Sequence, residues 1–140
     1  MPSIPNVFMT TQTTTETTTN HDFIRPEVLE NYTSKIPTSC GSLYLTLCEH
    51  KNKLCEVRVT MGKSGSCARL LLETFALLIS VLLQTNLPRQ KIYKILFHQF
   101  EGGCGNLIRF KGEEYNSCID YIITKVFEDL AMRGEVKLEE

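Results

Sequence analysis

Residues 42–48 read SLYLTLC and residues 54–61 read LCEVRVTM, and these two segments set the architecture of the chain. In both, apolar side chains occupy every second position, with polar, charged or aromatic ones between them. A period of two is typical of strands that bury one face. The polar residues between the segments are few enough for a hairpin connection. With a weaker candidate at residues 32–37, the pattern predicts a three-stranded antiparallel meander.

After this predicted sheet, the apolar residues no longer alternate with polar ones. Residues 67–84 are apolar on nearly all sides, which is typical of a helix that is central or shared with a partner subunit. A second helix is predicted over residues 89–100, and a last one over residues 118–132 with Asn116 or Ser117 as its cap. A glycine-rich loop separates these two helices and carries a short extended piece near residues 107–111. The predicted class is α+β, a three-stranded antiparallel meander followed by three helices.

The chain is predicted to hold one domain and a tail. Residues 10–20 read TTQTTTETTTN and contain no large apolar group that could offset the entropy of ordering them. We therefore expect residues 1–22 to form a disordered, threonine-rich tail and residues 23–140 to form the domain. A total of 140 residues fits a single domain.

Charge and hydrophobicity narrow the classes of partner. The chain has 15 basic and 16 acidic side chains, whereas nucleic-acid binders more often carry a basic excess, so nucleic acid is not an expected partner. No basic segment followed by an apolar run opens the chain, and its longest apolar stretch, residues 68–83, contains Arg69 and Glu73. That stretch is also shorter than the ~20 residues of a membrane-spanning helix. We expect a cytoplasmic protein with no membrane partner.

Four segments in one order resemble a known family. They are RPEVLENYTSKIPTSCGSLYLTL at residues 25–47, EVRVTMGKSGSC at residues 56–67, the leucine-rich helix after it, and NSCIDYI at residues 116–122. Together they resemble the TSCPD domain that forms the C-terminus of adenosylcobalamin (vitamin B12)-dependent, class II ribonucleotide reductases. In that domain an RPEVL strand pair, a glycine–lysine turn and a cysteine-containing helix start recur in this order. The likeness covers about residues 25–130.

Departures from the reductases shape the expected function. The radical-generating barrel, its active-site cysteines and its cobalamin site are absent from this chain, and no cysteine follows Cys118. Residues 116–120 read NSCID where the family motif has TSCPD, so the proline is replaced. The resemblance implies a small accessory or binding module linked to deoxyribonucleotide synthesis, with no catalytic residues of its own. Its expected partner is a ribonucleotide reductase subunit, and as part of an enzyme it would be a component of a ribonucleoside-diphosphate reductase.

A GKSGS turn joins the third predicted strand to the first helix. Successive backbone N–H groups at a helix N-terminus form an anion site, and a lysine would add charge, although the order is not that of a Walker loop. A tight structural turn is the other interpretation. A small phosphorylated ligand here would make the chain a nucleotide-binding or nucleotide-sequestering protein, of cellular or viral origin. The predicted ligand-binding residues are Gly62, Lys63, Ser64, Gly65, Ser66 and, beside the later loop, Arg109.

The chain has six cysteines, and four of them occupy loops or helix starts. Four such thiolates could make a tetrahedral zinc or iron–sulfur site, which gives a third hypothesis, a metal or iron–sulfur binding protein. The spacing contains no C-x-x-C pair, so reduced structural cysteines are the other interpretation. Cys48 and Cys55 lie in predicted strands and suit packing. The predicted metal ligands are Cys40, Cys67, Cys104 and Cys118.

The helix predicted over residues 67–84 also bears on oligomeric state. It is apolar on more sides than a three-stranded sheet and two other helices can easily cover in so short a chain. We therefore expect a homo-oligomer, most simply a dimer.

Overall fold

The computed structural model describes residues 23–62, 66–97 and 107–138. Within these ranges the α+β class, with a three-stranded antiparallel meander followed by three helices, is confirmed. In chain order the elements are β1 (Glu30–Thr38), β2 (Gly41–His50), β3 (Lys53–Met61), α1 (Cys67–Leu83), α2 (Arg89–Leu96), β4 (Ile108–Phe110), β5 (Glu113–Tyr115) and α3 (Cys118–Met132).

The larger sheet has the order β1-β2-β3, so β3 is an edge strand. Its strands pair in register, with Leu45 opposite Val59, and a bulge interrupts the β2–β3 ladder at Cys48/Glu49. Lys51 and Asn52 form the two-residue connection, both with positive φ, as in a type I′ hairpin turn. β1 is longer than predicted although it buries only Ile36, because the ladder with β2 holds it in place.

α1 packs beside β3 and covers its outer edge. The hydroxyl of Ser80 accepts a hydrogen bond from the Val57 N–H at 2.8 Å and lies 2.9 Å from the Val57 carbonyl oxygen, to which it donates. The side-chain amide of Gln84 donates to the Cys55 carbonyl at 3.0 Å. Exposed strand edges invite pairing with other chains, so these two helix side chains close part of the edge of β3.

α3 forms the centre of the core. Tyr121, Ile122 and Leu130 on this helix are almost completely buried, and Phe127 packs edge-on against Tyr93 of α2 at a centroid distance of 5.3 Å. The helix stops before Gly134, whose φ of +78° suits glycine. No helix among the described residues has the length and apolar character needed to cross a membrane.

Arg133, at the C-terminal end of α3, ties this helix to the bulge of the larger sheet. Its guanidinium donates to Glu49, next to the bulge, and to Asp129 at 2.7 Å. The hydroxyl of Tyr32 on β1 donates to the same Glu49 carboxylate at 3.1 Å. The hydrogen bonds from Arg133 and Tyr32 hold the pKa of Glu49 below its ordinary value despite the burial of that side chain.

Two predicted boundaries differ from the structure. The helix predicted over residues 89–100 ends at Leu96 with Phe97 as its C-cap, and residues 98–100 lie outside the described ranges. The extended piece predicted near residues 107–111 is confirmed as β4 and pairs with β5, which the sequence did not predict. β5 is only three residues long, too short for an alternating pattern to show. The predicted tail, residues 1–22, lies outside the described ranges.

Candidate functional site

The NSCID segment forms the N-terminal cap of α3. Ser117 is the N-cap residue, and its hydroxyl accepts a hydrogen bond from the Asp120 N–H at 3.0 Å. The Asp120 carboxylate accepts in turn from the Asn116 N–H at 2.8 Å. This is close to a capping box, in which the cap and the third helical residue each satisfy a backbone donor. Of the two predicted caps, Ser117 is the one observed.

This geometry explains why the proline of the motif is replaceable. Ile119 is the second residue of α3, in the first turn, where backbone N–H groups have no partner within the helix. Proline is tolerated in that turn because the N–H it lacks would make no helical hydrogen bond. The segment's structural role, the capping of α3, is therefore carried by Ser117 and Asp120, and both are present here.

A groove of about 460 Å³ lies between α1 and β3. At this groove the Glu56 carboxylate accepts from the Arg25 guanidinium at 2.8 Å and from the Arg58 guanidinium at 2.7 Å. The hydrogen bond from Arg25 is the main cause that lowers the pKa of Glu56, with a further contribution from Arg58. The opposite wall is formed by α1 and carries both apolar side chains, Leu77 and Val81 among them, and the polar side chains of Glu73 and Ser80. Sequence reasoning missed this groove because its residues are scattered along the chain.

A second groove, which we call the basic groove, has a volume of about 450 Å³. It lies between the β2–β3 turn and the junction of α1 and α2, and its lining contains His50, Lys51, Lys53 and Arg89 but no carboxylate. The Arg89 guanidinium is used inside the protein, because it donates to the backbone oxygen of Leu54 and pairs with Glu135. Lys51 and Lys53 form no ion pair with another residue that the structure describes, and both line this groove.

The predicted ligand residues fall in two places. Gly62 directly follows β3 and donates its N–H to the Ser42 carbonyl at 2.8 Å, and Ser66 caps α1 by accepting from the Arg69 N–H at 3.1 Å. Arg109 lies on the β4–β5 hairpin and pairs with Glu114 at 2.8 Å. Lys63, Ser64 and Gly65 lie outside the described ranges, so a ligand at the GKSGS turn stays a prediction.

The cysteines divide as the sequence suggests. Cys48 and Cys55 are buried in the sheet, and burial raises the pKa of both thiols, which suits packing. Cys40 and Cys67 are exposed, Cys118 is half-buried, and Cys104 lies outside the described ranges. Within the part of the chain that the structure covers, no three His, Cys, Asp or Glu side chains come together as metal ligands. The four-cysteine metal site therefore stays a prediction, as does the identity of any zinc or iron–sulfur cofactor.

The described elements form a small α+β domain, in which a three-stranded antiparallel meander precedes three helices and the last helix is capped by Ser117. A scan of protein-family models matches the TSCPD domain over residues 10–130, so the chain belongs to the TSCPD domain family. This domain is known from the C-terminal regions of B12-dependent ribonucleotide reductases. The match begins within the threonine tract. Searches of curated proteins and of solved structures found no match.

Proposed function

We propose that the chain is a non-catalytic accessory module of ribonucleotide reduction, which acts by binding a reductase subunit. The family match over residues 10–130 carries this proposal. The internal contacts support it, because the segments that resemble the reductase domain belong to one folded unit. Arg25 of the first segment pairs with Glu56 of the second, and Ser117 and Asp120 of the last segment cap the central helix. A folded unit of this kind presents a preformed surface to which a reductase subunit could bind.

Reconstitution with a reductase tests this function. The protein is mixed with a purified adenosylcobalamin-dependent reductase from which the C-terminal TSCPD domain has been deleted. We expect the chain alone to turn over no ribonucleotide with adenosylcobalamin and a reductant, and we expect it to bind the truncated reductase and change its turnover. The matched control is Leu130→Asp, which places a charge at a fully buried position and should abolish both effects. Turnover by the chain alone would refute a non-catalytic role, and absence of both binding and any effect on turnover would refute an accessory role.

The basic groove favours a second function, the binding of a small phosphorylated ligand such as a nucleotide. The basic groove has a volume of about 450 Å³. Lys51 and Lys53 in its lining supply positive charge, and Leu54 and Leu83 supply apolar surface. That volume is within the ~300–1,000 Å³ of small-molecule sites. A native mass spectrum of the untreated protein tests this function directly. A mass increment equal to a nucleotide supports it, an increment equal to zinc or an iron–sulfur cluster supports the metal hypothesis, and the same spectrum reports the number of subunits.

A further inference from the structure

The outer face of α1 carries a continuous apolar stripe. Five aliphatic side chains on it are at least half exposed, namely Leu70 at 63%, Leu71 at 67%, Leu77 at 62%, Leu78 at 59% and Val81 at 50%. Cys67 and Thr74 are also exposed and complete the stripe, which contains no charged residue. Together these side chains expose on the order of 500 Å² of mostly apolar surface, near the upper end for a patch on a monomer and more than half of the ~800 Å² per partner in a standard interface.

The spacing of the stripe indicates what kind of partner fits it. Cys67, Leu70, Thr74, Leu77 and Val81 follow one another at alternating steps of three and four residues, which is the seam of one helix packed along another. The seam runs over nearly the whole of α1, about 20 Å at 1.5 Å per residue. A groove for an extended peptide would not need this helical repeat, so the partner surface is expected to be a helix.

The stripe is also symmetric about its centre. Leu71 and Leu77 lie three residues before and after Thr74, and Leu70 and Leu78 lie four residues before and after it. Cys67 and Val81 lie seven residues away on either side. A stripe with the same positions in both chain directions is self-complementary when a second copy is rotated by 180° about an axis through its centre. This symmetry favours a second α1 in the antiparallel direction.

Extension of the sheet at the edge of β3 is a less suitable route to a dimer. Ser80 and Gln84 of α1 already occupy backbone groups of Val57 and Cys55 on the outer edge of β3. A strand from another copy could not form those hydrogen bonds without displacing α1. The exposed face of α1, in contrast, is available without any rearrangement.

We propose that α1 pairs with α1 of a second copy as an antiparallel, two-fold-symmetric helix pair centred on Thr74. In this arrangement Cys67 of one copy faces Val81 of the other, and Leu70 and Leu71 face Leu78 and Leu77. The proposal does not depend on the proposed role in ribonucleotide reduction.

Cysteine crosslinking in a Cys40→Ser, Cys104→Ser background tests the direction of the pair. Under mild oxidation, Thr74→Cys combined with Cys67→Ser should crosslink across the two-fold axis. Val81→Cys should crosslink to the native Cys67, whereas the background protein, which keeps Cys67 as its exposed thiol beside the half-buried Cys118 and the buried Cys48 and Cys55, should not. Lys91→Cys, at an exposed position on α2, is the matched control that should stay monomeric on a denaturing gel. Crosslinking of Cys67 to itself in the background protein would indicate a parallel pair and overturn the proposal.

Sedimentation of the parent and of Leu77→Asp tests the interface itself. The parent should be a dimer at micromolar concentration, and Leu77→Asp should raise the dimer dissociation constant at least ~100-fold, because it buries an unpaired charge. Lys94→Asp, on the exposed side of α2, should leave the dissociation constant unchanged. A parent that is strictly monomeric would overturn the proposal. If the parent is monomeric and the Leu77→Asp variant no longer binds the reductase, the stripe is a reductase contact instead.

Discussion

The Arg25 guanidinium lies 2.8 Å from the Glu56 carboxylate and so joins the segment before β1 to the edge strand β3. The two residues are 31 positions apart in sequence. Residues 23–29 have no helix or strand of their own, so a side-chain contact of this kind is what holds them against the sheet. The folded unit therefore includes Arg25.

A chain that starts at Phe23 should fold and melt within a few degrees of the full-length protein. The threonine tract that it lacks contains no large apolar side chain that could be buried in the core. Thermal melts followed by circular dichroism check this. A chain that starts at Glu27 is the matched comparison, since it also loses Arg25 and leaves Glu56 with Arg58 alone. Aggregation of the Phe23 chain, or a much lower melting temperature, would show that the family match over residues 10–22 marks part of the fold.

Ser117→Ala and Asp120→Ala should each lower the free energy of unfolding by about 1 kcal/mol, because each removes the side-chain acceptor of a backbone N–H group at the start of α3. The double variant should lose less than the sum of the two, since both side chains belong to one cap. Urea denaturation measures all three. Met132→Ala is the control, because it is highly exposed at the other end of the same helix. Single variants as stable as the parent would show that the cap contributes nothing.

The elements that could be predicted from sequence are those whose burial is periodic. Apolar and polar side chains alternate along β2 and β3, whereas α1 and α3 carry long, largely apolar segments. The spacing of apolar residues therefore distinguishes the strands from the helices. β1 gave a weak pattern because only Ile36 on it is buried.

The grooves were not predictable for a different reason. The packing of α1 on β3 brings Glu56 and Gln84 to one groove, and Arg25 reaches it through its ion pair with Glu56. No local spacing in the sequence encodes these contacts. The exposed half of α1 was predictable in part, since its all-round apolar character indicated a shared helix. The structure was needed to show which of its leucines face outward.

Acid should destabilise the protein in part through Glu49. Its folded-state pKa lies below its ordinary value of 4.5, so the native state binds fewer protons than the unfolded chain. The stability it contributes is fully present above pH 4.5 and is lost as the pH falls through the lowered folded pKa. Glu49→Gln should cost about 2 kcal/mol at pH 7, because the Arg133 guanidinium loses an ionised acceptor.

Urea midpoints measured from pH 7 to pH 3 check this expectation. The difference between the parent and Glu49→Gln should be constant near neutrality and should narrow below about pH 4.5. Glu113→Gln, at an exposed position on β5, should follow the parent at every pH. The pKa of Glu56 is also lowered in the parent, and neither variant changes the hydrogen bonds from Arg25 and Arg58 that cause this, so some acid sensitivity should persist even in Glu49→Gln. A difference that does not change with pH would show that ionisation of Glu49 contributes nothing to stability.

If the protein binds a nucleotide, charge variants should show which surface holds the phosphate. The basic groove predicts that Lys51→Ala and Lys53→Ala weaken binding, since each removes a charge with no counter-ion among the described residues. The GKSGS turn predicts instead that Lys63→Ala weakens binding without loss of stability, whereas Gly65→Val disturbs both binding and folding. Arg109→Ala should have no effect if the basic groove holds the ligand, because Arg109 is not among the residues that line it.

Calorimetric titration of each variant with a panel of ribonucleotides, deoxyribonucleotides and cyclic nucleotides separates these outcomes. The groove is favoured over the turn because the Gly62 N–H is already used by Ser42 and the Arg69 N–H, in the first turn of α1, is already used by Ser66. Fewer backbone donors are then left for a phosphate at the turn. Loss of binding in Lys63→Ala alone would reverse that preference. If the parent binds none of the panel, neither surface is a nucleotide site, and Lys51 and Lys53 are only solvated charges on a hairpin.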